Sequence, residues 1–347
     1  MFCKNLKYYR LVKGMSKKEL AQLVQVSPMA ITHYENGSRY PEMDIMKRIA
    51  SCLGVKISDF LTVRNKNIIF THNEFRKNSS LSKEKQDLVC ESVEEYFNRF
   101  MDIVELLGGE VLPSIPKIHT LKISNNIDED ARKLREYLGF AQDGPIEELV
   151  GKLENKGFLI MLKEIDDSQF SGINGAVNGR PYIMINDCMS TERKRSTIAH
   201  ELAQLIFDWS NVKMKEREIE NYATAISGAF LFPKNDIIRE LGIHRTSISK
   251  DMELVAKEYG ISMMLVAKRA EVEKVVSEKV AQSFYIYASK MGWRKNEPTR
   301  ISPEKASLFE QLVYRAVNEN EISIQRGAEL LKVPYSYVAE NCCFAGD

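Results

Sequence analysis

The stretch Thr197-Ile198-Ala199-His200-Glu201-Leu202-Ala203-Gln204-Leu205-Ile206-Phe207 constrains this chain more than any other. It reads as an apolar helix, yet its middle carries His200 and Glu201. Gln204 follows four residues after the histidine, so the two fall on one face of the helix.

The spacing has a chemical meaning. Two histidines four apart on a helix hold a zinc ion, and a glutamate after the first serves as general base. A catalytic zinc takes three protein ligands and keeps one position open for water. Here the second position is Gln204, whose neutral amide oxygen is a poor zinc donor beside imidazole. The expectation is a zinc affinity lower by orders of magnitude, with turnover largely lost. Asp208, eight residues past His200, is expected to pack or pair rather than to bind metal.

At 347 residues the chain is too long for one ordinary core, so two or three domains are expected. No apolar run approaches the length of a membrane span, and the first residues lack a signal-peptide core. The six cysteines show no Cys-x-x-Cys spacing and read as free thiols of a cytoplasmic protein. Charge is unevenly spread: residues 1–66 hold 12 Lys and Arg against 5 Asp and Glu, a net of +7, while the rest of the chain is at −6. A basic head on a mildly acidic body points to a polyanionic partner for the head.

The head reads as five short helices over residues 4–61. Ser16, with Glu19 three residues on, caps the second in a capping box. Ser27 caps the third, with Pro28 in its first turn, and Asn36-Gly37 stops it. Two short helices joined by a tight turn suit insertion into the DNA major groove. The stretch from Met15 to Gly37, ending Tyr34-Glu35-Asn36-Gly37, resembles the XRE/Cro-like helix-turn-helix family. The resemblance places Ala21 at the helix crossing and turns Ile31 and Tyr34 inward. It puts Ser27, Pro28, Met29, Thr32 and His33 at groove-facing positions and gives Lys17, Lys18 and Arg39 to phosphates. Where the family often has glutamine this chain has Pro28, so bidentate reading of adenine is absent there.

Past a polar linker over residues 62–80, the spacing predicts a long helix over 81–107 and a second from Asp128 to Leu138. A third is expected to open at Pro145. Strands are expected at 158–162 and 182–186 with a polar loop between them, and Ser190 begins the helix that carries His200. This order resembles the ImmA/IrrE family of metallopeptidases. The matching segments are Gly144-Pro145-Ile146, Ile183-Met184-Ile185-Asn186, Arg193 to Ala203, and Glu220 to Pro233. The resemblance implies His200 and Glu220 as zinc ligands, Glu201 as general base, and Gln204 where the second histidine belongs.

Toward the C-terminus, Ile261–Ala270 reads as a packing helix without a partner helix. Glu321–Leu331 is like the closing segment of family members that join both domains.

The fold class expected is mainly α with a small β-sheet. The division expected is a helix-turn-helix domain over 1–66, a linker and long helix over 67–127, a zincin-like metallopeptidase domain over 128–284, and a helical C-terminal part over 285–347. The function implied is a cytoplasmic DNA-binding regulator, a homodimer on double-stranded operator DNA, with no membrane partner. Its peptidase domain would cleave a repressor, an operon partner or the chain itself after a stress or mobile-element signal, and it is inactive with Gln204. The alternative is a non-catalytic repressor or antitoxin-like binder that keeps the peptidase fold for sensing or dimerisation. Gln204 itself has two accounts: a natural loss of the ligand, or a replacement that holds a self- or partner-cleaving protein intact.

Overall fold

The computed structural model describes residues 2–65, 67–73, 81–293, 296, 298 and 301–343. Residues 74–80 of the expected linker lie outside them. The chain is mainly α with a small sheet. It divides into two compact units, one of residues 1–70, 74–111 and 310–347, the other of residues 71–73 and 112–309.

The first unit begins with α1 (Phe2–Val12), α2 (Lys17–Leu23), α3 (Pro28–Asn36), α4 (Met43–Leu53) and α5 (Ile57–Leu61). The capping box forms: Ser16 Oγ accepts from Glu19 N, and Glu19 Oε2 accepts from Ser16 N at 2.7 Å. Leu20, Ala21, Ile31 and Tyr34 are buried together with Leu6 and Phe60. The long helix α6 (Lys83–Leu106) follows the Ser82 cap. After the strand segments and helices of the second unit come α15 (Leu308–Asn318), α16 (Ile324–Leu331) and α17 (Tyr335–Asn341).

The second unit contains β1 (Phe70–His72), β2 (Leu121–Lys122), α7 (Ile127–Leu138), α8 (Leu149–Glu154), β3 (Leu159–Lys163), β4 (Gly172–Val177), β5 (Arg180–Asn186), α9 (Thr191–Ile206), β6 (Phe207–Asp208), α10 (Glu216–Leu231), α11 (Lys234–Leu241), α12 (Met252–Tyr259), α13 (Met263–Val272) and α14 (Glu278–Lys290). One sheet has the order β1-β4-β5-β3, with β4 antiparallel and β3 parallel to β5; β2 and β6 form a separate parallel pair. Helix α9 packs against β4 and β5, and α10 lies between α9 and α7. The core gathers Leu134, Ile183, Ile185, Ile198, Leu202, Ile226 and Phe230.

Three expectations need correction here. The polar loop expected before β5 contains β4. Its turn to β5 is Asn178-Gly179, both at positive φ (49° and 78°), as a two-residue hairpin turn whose twist matches the strands requires. The helix expected from Pro145 begins only at Leu149, because Glu148 takes a left-handed conformation at φ 46°. The loop before it is fixed instead by Arg135, 1% exposed, which donates to the carbonyls of Ala141, Gly144 and Phe230. Helix α13 does have a partner. Helices α12 and α13 repeat the turn geometry of α2 and α3, with Gly260 left-handed at φ 61° where Gln25 has φ 57°. In both, the residue after that position donates its N–H to the alanine five back, Val26 to Ala21 and Ile261 to Ala256, each at 2.9 Å. Helices α16 and α17 do so a third time, Val333 to Ala328 at 3.1 Å past Lys332. In the middle copy Met263, Val266, Ala267 and Ala270 are buried, so that pair serves packing.

Glu154 ends α8 as a buried carboxylate that accepts the backbone N–H groups of Ser307 and Leu308. Burial pushes its pKa up to about 7. A carboxylate whose folded pKa is raised favours folding less as pH rises from its unfolded value toward 7. The expected result is that Glu154→Gln lowers the melting temperature little at pH 8 and more at pH 5. A gap between variant and parent that stays constant across that window contradicts the assignment.

Candidate functional site

Helix α9 starts at Ser190, whose Oγ accepts from Arg193 N. Its buried apolar residues include Ile198, Ala199, Leu202, Leu205 and Ile206, while His200, Glu201 and Gln204 meet side chains of β4 and α10. His200 and Glu201 are 9% and 4% exposed. Helix α10 brings Glu220 and, one turn on, Thr224. Strand β4 brings Asn174, 1% exposed.

These five side chains and Gln204 form one hydrogen-bonded network. Asn174 donates its Nδ2 to Glu201 Oε2, at 2.5 Å. The same Nδ2 donates to Gln204 Oε1 at 3.1 Å. That fixes the Gln204 amide with its nitrogen on the far side, where Nε2 donates to Glu220 Oε1 at 2.8 Å and meets His200 Nε2 at 3.1 Å. At the other ring nitrogen, Thr224 Oγ1 lies 3.1 Å from His200 Nδ1 and gives its own proton to Glu220 O at 2.8 Å. Thr224 therefore accepts from Nδ1–H, which leaves Nε2 as the acceptor for Gln204.

His200 Nε2 and Glu220 Oε2 face each other at 3.4 Å, and the Gln204 amide nitrogen meets the same ring nitrogen and Glu220 Oε1, so the third position offers a donor where a metal needs an electron-pair ligand. Turning the amide to offer its oxygen would set NH₂ against the Asn174 NH₂. Turning Asn174 as well would set its oxygen against the Glu201 carboxylate. Among the described residues no group of three His, Cys, Asp or Glu side chains is placed to hold a metal. The residues present do not fit a three-ligand zinc site.

The remaining expected residues are placed as follows. Asp208 sits in β6 and bonds Ser210 and Asn211, away from this network. Its pKa is lowered, chiefly by the Ser210 hydroxyl. In the head, Ser27, Pro28, Met29, Lys18 and Arg39 are exposed. Ser27 Oγ is spent on Ala30 N at 3.1 Å, and Thr32 Oγ1 donates to Pro28 O at 3.2 Å. His33 Nδ1 is hydrogen-bonded to Ser38 Oγ at 2.8 Å, which holds the ring against the helix end. Lys17 leans 3.6 Å from Glu35, so its ammonium is shared with an internal carboxylate. Thr224 joins the site from within the segment Glu220 to Pro233, and Asn174 joins it without belonging to any motif in the sequence. Thr224 lies one helical turn from Glu220, so spacing alone could have pointed to it; Asn174 is hidden with its strand.

Two segments of the chain match known families. Residues 6–60 match the family described as helix-turn-helix, and residues 154–271 match the family described as IrrE N-terminal-like domain. The chain thus carries an XRE-like helix-turn-helix domain and an IrrE/ImmA-like peptidase domain. No curated protein matches it. Among solved structures, Bacillus thuringiensis PlcR in complex with the peptide PapR7 and DNA is 11% identical over 97% of this chain and 93% of that one, with a TM-score of 0.17. A superposition that poor does not establish a shared fold. None of the described helices is long and apolar enough to cross a membrane.

Proposed function

We propose that this protein is a DNA-binding regulator whose peptidase-fold body binds and senses rather than cuts. The observation that carries this reading is the Gln204 amide nitrogen, which donates to His200 Nε2 and Glu220 Oε1 at the position where the third ligand belongs. Glu201, the general base of an active site of this kind, is held by Asn174 instead of facing a metal-bound water. The body keeps the peptidase framework, and its chemistry is replaced by a closed hydrogen-bond network.

The head supplies DNA binding. Its +7 charge and the exposed face around Pro28, Met29 and His33 suit a major groove, with phosphates taken by Lys18 and Arg39. Two copies on half-sites about 34 Å apart fit a helix-turn-helix operator, so a homodimer on DNA belongs to this reading. The signal received by the body would act by changing how the heads meet that operator.

The experiment is a salt series on promoter DNA of the protein's own operon. Lys18→Ala and Arg39→Ala are expected to weaken binding on every sequence and to flatten the salt slope by about one for each phosphate left unneutralised. His33→Ala is expected to change sequence preference instead. Lys17→Ala is expected to act less on the slope than Lys18→Ala, because Glu35 already shares its charge. No binding to duplex DNA at low salt rules out the head's role, and self-cleavage or partner cleavage by the unaltered chain rules out the body's.

A further inference from the structure

At the end of α17 two neighbouring thiols, Cys342 and Cys343, bring their Sγ atoms to 3.5 Å from each other. Successive side chains of a helix do not face each other, so this contact needs a clasp. Asn318, at the end of α15, supplies it. Its Nδ2 donates to Cys342 O at 2.8 Å, and its Oδ1 accepts from Cys343 Sγ at 3.3 Å. The same Nδ2 donates to Tyr314 O at 2.8 Å, which fixes the amide on its own helix. Cys342 is half-buried and packs against the small core of Val317, Ala328 and Val338. Its N–H donates to Val338 O at 2.9 Å and closes the last turn of α17. Cys343 is exposed. One thiol therefore faces solvent, and the other lies against it from the protein side.

We propose that Cys342 and Cys343 are a vicinal dithiol that a two-electron oxidant of the peroxide class closes, reversibly, to a disulfide. The exposed Cys343 sulfur attacks one oxygen of hydrogen peroxide; the O–O bond breaks, water leaves, and Cys343 becomes a sulfenic acid. The Cys342 sulfur then attacks the Cys343 sulfur. Its proton leaves with the displaced hydroxide as a second water, and the S–S bond forms. The two thiols are oxidised and the peroxide is reduced to water. Burial, with Cys343 beside it, raises the pKa of the Cys342 thiol, which suits it to the second step rather than the first. Adjacent Cα atoms lie about 3.8 Å apart across a trans peptide, against roughly 4.4–6.8 Å in ordinary disulfides, so the closed ring is strained and readily reduced. Strained, exposed disulfides are the labile, regulatory ones. Closing the ring takes the Cys343 proton from Asn318 Oδ1 and draws Cys342 Sγ off the small core, and both changes loosen the end of α17. Helix α16 packs on α17 and reaches the head through Lys332, which donates to Tyr8 OH of α1 at 3.2 Å and pairs with Glu95 of α6 at 2.8 Å. These elements belong to one unit and join the thiol pair to the head. The site is separate from the His200 network and does not depend on how that network is read.

The test uses the full chain, reduced and then treated with a slight excess of hydrogen peroxide, with free thiols blocked by N-ethylmaleimide before tryptic digestion. The peptide that follows Lys332 carries both cysteines. Its mass is expected to show an unblocked pair lacking both thiol hydrogens, and both sulfurs are expected to become blockable again after dithiothreitol. Phenylarsine oxide, whose arsenic bridges neighbouring thiols, checks the pair without oxidant. The natural chain is expected to hold it at least about a hundredfold more tightly than Cys343→Ser, because the second thiol binds intramolecularly. Cys342→Ala keeps the exposed thiol and is expected to lose the same factor, so a folding defect in one variant does not decide the result. Backbone hydrogen exchange over Tyr335–Asn341 is expected to quicken in the oxidised chain and recover on reduction. Peroxide that carries Cys343 on to sulfinic acid, or leaves both thiols open to blocking, overturns the proposal. Equal retention of phenylarsine oxide by the natural chain and both variants overturns it too. Unchanged exchange in a chain shown to hold the disulfide overturns the loosening of α17.

Discussion

Replacing Gln204 by histidine is expected to give this chain a zinc ion that it otherwise does not keep. The substitution removes the amide donor that meets His200 and Glu220 and puts a third ligand on the same helix face, four residues from the first. Zinc is expected to rise from a trace to roughly one per chain, the count for a three-ligand site. Asn174 loses its acceptor at Gln204 and keeps only Glu201. With Glu201 beside the metal, cutting of the chain itself or of an operon partner is the accompanying expectation. Adding Glu201→Gln to the histidine variant is expected to keep the zinc and abolish the cutting, because the ligands stay and the base is lost. Metal analysis and a cleavage assay on the two variants check this. Failure of Gln204→His to gain zinc means the site is closed by more than one residue.

The second large effect is in the head. Arg10 is 3% exposed and holds Glu35 with two hydrogen bonds, Nε to Oε1 and Nη2 to Oε2, while its Nη1 donates to Met15 O at 2.7 Å. The carboxylate of Glu35 is equally buried, with Lys17 its other cation in reach. Arg10→Ala strands that carboxylate away from water, and breaking one partner of a buried pair costs about 3–5 kcal/mol. This is a large share of the stability of a small domain. The expected result is a head that melts well below the body and no longer binds DNA, with the body's transition unchanged. Arg10→Met with Glu35→Leu removes both charges and is expected to recover most of the loss. A single-substitution loss below about 1 kcal/mol would show that the pair is solvated rather than buried.

Much of the head is legible in the sequence because its signals are local. Ser16 with Glu19, Ser27 with Pro28, and Asn36-Gly37 each act within one turn of helix, and the helices begin and end where they say. The motif helix is legible for the same reason, as is the spacing of His200 and Gln204. The sheet is harder. Strand β4, Gly-Ile-Asn-Gly-Ala-Val, has two glycines and little β-branching, and it is held by pairing with β5 rather than by propensity. The turn signal is present in Asn178-Gly179 and is specific enough to mark the hairpin. With β4 unread, Asn174 is invisible, and with it the element that fixes which way the Gln204 amide faces. The start of α8 depends on Arg135, Gly144 and Asp236, which meet only in three dimensions. Spacing identifies Gln204 as a missing ligand; only the geometry shows it as a donor to the other two.

The measurement that bears most directly on this account is the zinc content of the unaltered chain, purified without chelator and dialysed against a slight excess of zinc. The Gln204 amide, locked by Asn174 and Glu201, predicts no stoichiometric metal and no change in melting temperature with added zinc. One zinc per chain, lost on Glu220→Gln, would show that the amide turns to offer its oxygen and would contradict the closed network at the centre of the account.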